Sequence, residues 1–312
     1  MKMANITAKD VASLRAKTGI GMMECKKALV EANGDMDEAI KILRKRGELK
    51  AETKAATRIA ADGIVDIMKD GNVTAMIEVN SETDFVAKNA SFQEFVKNIL
   101  KTIIANKPAD LDALLASNYL GEEVTVEAKL KEMIFVIGEK LSIRRFVVVE
   151  GLTSTYIHGA GSIGVIVSFD ADATIAAKAE FDEFAKNIAL QVGAYPTPYL
   201  NREQVPASVI EEEKNILMAQ IANDPANAKK PQQIIEKMVV GRISKFYDNN
   251  CLLDMDYVKD DKMKVGKYVE ATAKELGGNI EVTGFYRFEK GEGIQKREEN
   301  FAEEIAKLTN NQ

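Results

Sequence analysis

The stretch Phe92-Gln-Glu-Phe-Val-Lys-Asn-Ile99 recurs almost unchanged as Phe181-Asp-Glu-Phe-Ala-Lys-Asn-Ile188, at an offset of 89 residues. An earlier pair is offset by 90: Gly71-Asn-Val-Thr-Ala-Met-Ile-Glu-Val79 and Gly161-Ser-Ile-Gly-Val-Ile-Val-Ser-Phe169. The earlier stretches have a turn glycine and alternating apolar residues, which predicts a strand, and the later ones have helical spacing. The sequence therefore predicts a core of two copies of one strand-and-helix unit, with antiparallel sheets.

Each copy is expected to continue to a second helix and a last strand. The predicted ranges are 127–141 and 143–150 in the first copy, and 265–276 and 280–289 in the second. We place the two core subdomains at 61–151 and 152–291.

The second copy is longer than the first by about 50 residues, which lie at 206–250. They contain two amphipathic patterns around a Pro-bounded turn, which predicts a helical hairpin. Its apolar lining is predicted to comprise Ile210, Leu217, Met218, Ile221, Ile234, Ile235, Met238, Val239, Ile243 and Phe246. The pattern does not decide between a partner-binding arm and a surface for homodimer formation.

Residues 1–50 are predicted to form a module of three short helices. Thr7 with Asp10 three positions on is typical of a capping box, and Asp35 or Asp37 is expected to cap the third helix. That helix is predicted to end before Gly47. Three helices joined by a Gly-x-Gly loop resemble a ubiquitin-associated domain, which favours docking on another protein.

The remaining segments are predicted from their apolar residues. Met22 and Met23 are expected to lie on the inward stripe of the second helix, and residues 51–60 to form a helical linker. The C-terminal module, 292–312, contains an amphipathic pattern over residues 298–308. A helix of that length is marginal alone, so it docks on its own core or on a partner.

Composition excludes several classes of function. The net charge is −6, with no basic run interleaved with aromatics, so direct nucleic-acid binding is not expected. Cys25 and Cys251 are far apart and no apolar run could span a bilayer, which favours a cytoplasmic protein without membrane attachment. One histidine, two cysteines and no phosphate-binding loop predict a binding protein without cofactor or metal, and not an enzyme.

The stretch Val79-Asn-Ser-Glu-Thr-Asp-Phe-Val-Ala-Lys-Asn89 lies where a strand pattern gives way to a helical one. Either Ser81 or Thr83 caps the helix and Phe85 packs inward, or Phe85 is offered to a partner. Pairing Lys88 with Lys178 places residues 83–86 opposite Ala173-Thr-Ile-Ala176, which indicates that the turn does not require an Asp-Phe pair.

His158 lies in the Gly-rich segment Tyr156-Ile-His-Gly-Ala-Gly161. A lone histidine in such a turn is typical of a hydrogen-bonding surface residue.

Four motifs, in this order, resemble the bacterial elongation factor Ts family, the guanine-nucleotide exchange factors of elongation factor Tu. They are Thr18-Gly-Ile-Gly-Met-Met-Glu-Cys-Lys-Lys-Ala-Leu29 with Glu31-Ala-Asn-Gly-Asp-Met-Asp-Glu-Ala-Ile40, Glu82-Thr-Asp-Phe-Val-Ala-Lys-Asn89, Glu236-Lys-Met-Val-Val-Gly-Arg242 and Val282-Thr-Gly-Phe-Tyr-Arg-Phe-Glu289. The resemblance covers essentially the whole chain, which is somewhat long around 107–127. It implies an α+β protein that binds elongation factor Tu and promotes GDP release.

The resemblance also implies roles for individual residues. Thr83, Asp84, Phe85 and Val86 would form the element that displaces the partner's Mg²⁺, with Phe85 wedged between helices of its GTP-binding domain. Three further residues fall in partner-binding stretches of the family: Lys26, Lys27 and His158.

Two other hypotheses remain from the residues alone. The N-terminal module could serve an adaptor of the ubiquitin-associated type, which predicts that residues 1–50 bind as well as the whole chain. An enzyme using Asp84, Glu82 or His158 would instead require a pocket with perturbed titration.

Overall fold

The computed structural model describes residues 6–224 and 230–295, and it confirms the predicted α+β class. Within these residues the chain divides into two compact units. The first comprises 6–68, 77–148 and 289–295, and the second comprises 69–76 and 149–288. The predicted C-terminal helix and the connection at 225–229 lie outside the described residues.

Three helices begin the chain: α1 (Ala8–Thr18), α2 (Met22–Glu31) and α3 (Met36–Thr57). The capping box at α1 is confirmed, because Thr7 and Asp10 each accept a hydrogen bond from the other's backbone N–H. At α3 it is Asp35 that caps, accepting from the N–H of Glu38 at 2.9 Å. Local sequence signals therefore place these two helix starts correctly.

The prediction that α3 ends before Gly47 was wrong. The helix runs through this glycine to Thr57, so residues 51–57 continue it. A Cβ atom at Gly47 would lie 3.4 Å from the Phe135 side chain, and Ala51 beyond it is 3% exposed. Packing along α3 outweighs the low helix propensity of one glycine.

The N-terminal module has its own apolar core, whose buried members are Val11, Leu14, Ile20, Cys25, Ala28, Leu29, Ala32, Ala39 and Leu43. Met22 and Met23 were predicted to face this core, but 44% and 66% of their surfaces are exposed. The inward face of α2 begins at Cys25 instead, because its first turn follows a surface loop at Gly21.

The first copy contains the elements β1 (Asp62–Asp70), β2 (Val73–Ser81), α4 (Asp84–Ala87), α5 (Ala90–Asn106), α6 (Leu111–Ala116), α7 (Val126–Ile137) and β3 (Leu141–Glu150). Its strands lie in the order β1-β2-β3, and every residue of β2 is buried. At Gly63, where φ is +120°, a Cβ atom would lie 2.1 Å from the Val79 carbonyl oxygen. Only glycine fits this approach of β1 to β2.

A buried glutamate is bound at the centre of this copy. The carboxylate of Glu78 accepts hydrogen bonds from Arg144 at 2.9 Å, Arg145 at 2.7 Å, Asn80 at 3.0 Å and the Gly291 N–H at 2.8 Å. Burial raises the pKa of this carboxyl, but the hydrogen bonds together outweigh burial and hold the pKa below its ordinary value.

The second copy contains β4 (Leu152–His158), β5 (Ile163–Ala171), α8 (Ala173–Ala176), α9 (Ala179–Ala194), α12 (Val265–Leu276) and β8 (Ile280–Glu289). Its strands lie in the order β4-β5-β8, with β4 antiparallel to β5 from Leu152↔Phe169 to His158↔Ile163. The predicted second helix and last strand are confirmed to the residue. Phe169 packs on both repeat phenylalanines, Phe181 and Phe184, at 5.6 and 5.9 Å between ring centres.

The second copy also carries the predicted helical hairpin, α10 (Ala207–Asn223) and α11 (Gln232–Asn250). Its buried contacts are Leu217, Ile221, Val239 and Ile243, so the inner faces were largely predicted. Met218 and Ile234 were assigned to that lining wrongly, because they are 43% and 45% exposed. A short ribbon, β6 (Asp256–Tyr257) and β7 (Asp260–Lys264), was not predicted.

Both cysteines are free and completely buried, Cys25 in the N-terminal module and Cys251 just after α11. The Cys25 thiol donates to the carbonyl of Ile20 at 3.3 Å. Burial, with a smaller contribution from Asp254, raises the pKa of the Cys251 thiol to about 11.

Candidate functional site

The candidate site is a single helical turn, α4, between β2 and α5. We call residues 81–89 the Phe85 turn. Thr83, which precedes α4, has extended backbone with φ of −125° and ψ of 159°. The next helix, α5, starts from Asn89, whose side chain accepts from the N–H groups of Ser91 and Phe92. The strand β2 and the helix α5 thereby fix the directions of the side chains of α4 between them.

Two apolar neighbours on this turn point in opposite directions. Val86 is 5% exposed, whereas 76% of the Phe85 surface is exposed. Of the two alternatives drawn from sequence, inward packing of Phe85 is therefore excluded. The Phe85 ring is therefore available for contact with another molecule.

The sequence led us to consider Ser81 or Thr83 as the residue that caps the helix, but neither side chain caps α4. Ser81 Oγ donates to the carbonyl oxygen of Thr83 at 2.8 Å. Thr83 Oγ1 donates to Glu139 Oε1 at 2.7 Å, and the Thr83 N–H donates to Glu139 Oε2 at 2.9 Å. The threonine hydroxyl therefore fastens the turn to a distant segment of the chain.

A second carboxylate, Glu82, belongs to the turn itself and accepts hydrogen bonds from residues outside it. Glu82 accepts from the N–H of Lys140 and, at 3.1 Å to each of its oxygens, from Arg58. Lys140 Nζ donates to the Arg58 carbonyl at 2.8 Å. Residues 82 and 83 are therefore bonded to residues 139 and 140, which follow α7. Glu82 is also bonded to Arg58, the residue that follows α3.

Other charges at the turn are arranged on its surface. Asp84 and Lys88 form an exposed ion pair at 3.2 Å, and Lys88 Nζ lies 5.8 Å from the centre of the Phe85 ring. Such exposed pairs contribute roughly 0–1 kcal/mol. Burial, and next the positive charge of Arg58, lowers the pKa of the nearby Lys54 ammonium.

A cleft of about 260 Å³ adjoins the turn, with a wall formed by the end of α7. Its lining comprises Phe85, Val86, Asn89, Ser91, Val136, Ile137 and Glu139. The exposed ring therefore stands beside a partly apolar depression.

Comparison of the two copies corrects the alignment made from sequence. The strands β2 and β5 are offset by 90 residues, but α4 and α8 are offset by 89. Val86 consequently matches buried Ile175, and Phe85 matches exposed Thr174 rather than Ile175. Glu82 matches Asp172, so the extra residue of the first copy stands just before α4, at Thr83. The shared turn thus has an outward position, and only the first copy places an aromatic there.

Comparison with known proteins assigns the chain to a family. Residues 82–292 match the family model described as elongation factor TS. The elongation factor Ts of Clostridioides difficile is 46% identical over 98% of this chain and 99% of its own length. Those of Magnetococcus marinus and Syntrophotalea carbinolica are 45% and 43% identical, over 97% of this chain and 98% and 99% of their lengths.

The chain belongs to the elongation factor Ts family. It is therefore a translation elongation factor of protein biosynthesis, and the resemblance drawn from its motifs is confirmed.

The lysines singled out through the elongation factor Ts resemblance lie on α2. Lys26 and Lys27 are exposed, and Lys27 approaches Glu24 at 3.6 Å. Around them stand the exposed apolar side chains of Met22, Met23 and Val30. Sequence reasoning missed this patch because it assigned the methionines to the interior.

His158 is the last residue of β4 and belongs to the second unit. Its Nδ1 lies 2.8 Å from the hydroxyl oxygen of Tyr156, and it is exposed. Residues 156–158 are thus strand rather than turn, and the turn is made by Gly159, Ala160 and Gly161, all with positive φ. His158 is therefore a surface residue with a side-chain hydrogen-bonding partner.

Within 6–224 and 230–295, no group of three or more His, Cys, Asp or Glu side chains could hold a metal ion. Over the same residues, no helix has the length and apolar character needed to cross a bilayer.

Proposed function

We propose that the chain binds GDP-loaded elongation factor Tu in the cytoplasm and promotes GDP release, allowing GTP to rebind. The proposal rests on one observation: a member of the elongation factor Ts family holds Phe85 76% exposed on a fixed turn. No covalent bond is made or broken, so the chain acts as an exchange factor and not as an enzyme.

In the proposed mechanism Phe85 enters the GTP-binding domain of the partner between two helices. Asp84, with Thr83 and Val86, then occupies the region that holds Mg²⁺ and the phosphates. Because the turn is already formed, little ordering free energy is lost when the partner arrives. Distortion of the Mg²⁺ site weakens the partner's hold on GDP.

The energies required are available from an interface of ordinary size. A thousandfold faster release corresponds to about 4 kcal/mol off the barrier. Covering the exposed surface of Phe85 supplies roughly 1–2 kcal/mol of that amount. The exposed patch of α2 and the cleft beside Phe85 can provide further contacts, with Lys26, Lys27 and His158 as additional partner-binding residues.

The experiment is stopped-flow release of a fluorescent GDP analogue from elongation factor Tu. The intact chain is expected to accelerate release, and Asp84→Ala/Phe85→Ala to lose most of the acceleration. Thr174→Ala, at the matching outward position of the second copy, is the control and should behave as wild type. No acceleration by the intact chain would refute the function, and full acceleration by the double variant would refute the site.

Homodimer formation through the hairpin is a second proposal about partners. Four exposed apolar side chains support it: Ile216, Met218, Ile234 and Val240. Sedimentation should then show a dimer that Val240→Asp dissociates, whereas a monomeric wild-type chain would rule it out.

A further inference from the structure

The turn that carries Phe85 has little of its own to hold it. A helix of four residues is far below the length at which backbone hydrogen bonds sustain it. Thr83, in the capping position, makes no capping bond, and Phe85 has little contact with the rest of the chain. Buried Val86 is its one large apolar anchor. The direction of Phe85 therefore depends on bonds from elsewhere in the chain.

The Gln93 side chain donates to the Ala87 carbonyl at 3.0 Å, at the end of the turn. The bonds on the side of Thr83 involve two carboxylates, Glu82 and Glu139, and comparison with the second copy distinguishes them. There, Asp172 accepts from the N–H of Asn279 at 3.2 Å. Both last strands follow their helices at the same spacing, so Asn279 matches Lys140. The bond from Glu82 to the Lys140 N–H thus has a counterpart in the copy that lacks the aromatic. It belongs to the shared scaffold.

The bond from Glu139 has no counterpart. The matching residue is Gly278, where a Cβ atom would lie 2.4 Å from Ile175 Cδ1 and 2.6 Å from Asp172 Oδ2. In the first copy the shorter Val86 replaces Ile175, and the Glu139 side chain reaches Thr83. Glu139 and the Thr83 hydroxyl are therefore found only in the copy that presents Phe85.

We infer that Glu139 is a positioning residue for nucleotide exchange, which holds the Phe85 turn in the orientation that acts on the partner. The inference rests on the proposed function, because it assigns Glu139 a part in that activity. Its carboxylate fixes both donors of Thr83, the residue immediately before Asp84 and Phe85. Charge-assisted bonds of this kind are among the stronger hydrogen bonds in proteins. Without them the turn samples other orientations, and productive complexes become rarer.

The test compares Glu139→Ala, Glu139→Gln and Asp172→Asn in the full chain, using release of fluorescent GDP from elongation factor Tu. In Glu139→Ala the rate at saturating factor should fall roughly tenfold, the equivalent of one ordinary hydrogen bond, while the half-saturating concentration changes little. Glu139→Gln should retain most of the rate, because its amide can accept from the Thr83 N–H and donate to the hydroxyl. Asp172→Asn perturbs the matching scaffold bond and should leave the rate unchanged.

Hydrogen exchange of the Thr83 amide gives a readout that does not require the partner. Exchange should accelerate roughly tenfold in Glu139→Ala, in line with the loss of one hydrogen bond, and stay near the wild-type rate in Glu139→Gln. If Glu139→Ala fails to fold, Thr83→Val removes only the hydroxyl contact and should lower the saturating rate by a smaller factor.

Three results would overturn the inference. They are an unchanged saturating rate in Glu139→Ala, an equal loss in Asp172→Asn, and unchanged Thr83 exchange in Glu139→Ala. If the wild-type chain itself does not accelerate GDP release, the proposed function fails. The exchange rate of Thr83 then still decides whether Glu139 holds the turn.

Discussion

Phe85 and Val86 are consecutive residues that meet different environments, and this contrast separates function from stability. The first is 76% exposed and the second 5% exposed. Surface side chains contribute little to folding, whereas a buried methyl group is expensive to remove. The two positions therefore form a matched pair for mutagenesis.

Phe85→Ala should change the free energy of unfolding by no more than about 0.5 kcal/mol. Val86→Ala should lower it by about 1–3 kcal/mol, because it leaves a cavity under the turn. Urea unfolding followed by circular dichroism measures both. A large loss of stability in Phe85→Ala would mean that the ring is packed against the chain.

At the scale of elements, two glycines have opposite roles. Gly47 lies within α3, and Gly63 lies in β1 with φ of +120° against the Val79 carbonyl. The first position tolerates a side chain and the second excludes one.

Gly47→Ala should raise the free energy of unfolding by about 0.5–1 kcal/mol, since alanine is the better helix former and its Cβ would meet Phe135 at 3.4 Å. Gly63→Ala should lower it by about 3 kcal/mol or more, because backbone strain and a steric clash combine. Thermal and urea unfolding of the two variants test the contrast. Destabilisation by Gly47→Ala would show that α3 is less regular than described.

The bonds of Glu78 to β3 and Gly291 predict an acid-sensitive first unit. The pKa of Glu78 in the folded chain lies below the ordinary value of 4.5. The stability that Glu78 contributes is therefore complete above pH 4.5 and is lost as the pH falls through the folded pKa. Urea midpoints measured from pH 7 down to pH 3 should decline below about pH 4.5. Glu78→Gln should lower stability by about 2 kcal/mol at pH 7, because Arg144 and Arg145 each lose an ion pair with the buried carboxylate, and should flatten that decline. An unaltered pH profile in this variant would contradict the assignment.

The helices and strands show how far sequence reasoning extends. The cap at Thr7, a cap at Asp35 or Asp37 and the strand β2 depend on neighbouring residues, and they were predicted correctly. The burial of both faces of β2 was not predicted from its alternating pattern. Gly47 was misjudged because contact with Phe135, 88 positions away, decides its conformation. The pairing of Phe85 with Ile175 failed because one inserted residue, Thr83, can be located only from the fold. Glu139 was missed because 56 positions separate it from Thr83.

At the scale of the whole molecule, we propose that docking and exchange use different surfaces. The exposed methionines and lysines of α2 lie in the N-terminal module, and Phe85 lies in the first copy of the core. A variant of one surface should therefore change a different kinetic quantity from a variant of the other.

Met23→Asp should raise the half-saturating concentration of the factor about tenfold, because it places a charge in an apolar contact, and leave the saturating rate of GDP release unchanged. Lys101→Gln, at an exposed position of α5, is the control, because it lowers the net charge by one as Met23→Asp does. Stopped-flow titration separates the two quantities. A fall in saturating rate without a change of half-saturation would show that α2 takes part in exchange itself.

Equal binding by an isolated N-terminal module and by the full chain would instead favour an adaptor.

Reciprocal coupling gives a prediction for the complete cycle. The factor by which the chain weakens GDP binding must equal the factor by which GDP weakens binding of the chain. A thousandfold loss of GDP affinity, about 4 kcal/mol, should be matched by a thousandfold loss of affinity for the chain. Calorimetric titration of GDP-loaded and nucleotide-free elongation factor Tu measures one side of the cycle, and GDP titration of the complex measures the other. Unequal factors would reveal an additional bound state.

The two buried thiols make this chain convenient for site-specific labelling. Thiol reagents attack the thiolate, and a pKa of about 11 leaves Cys251 almost wholly protonated at neutral pH. Cys25 is also covered, with no exposed surface. A cysteine introduced at exposed Lys101 would therefore be the accessible thiol in an otherwise unaltered sequence. One fluorophore placed there would follow complex formation in real time without removal of either natural cysteine.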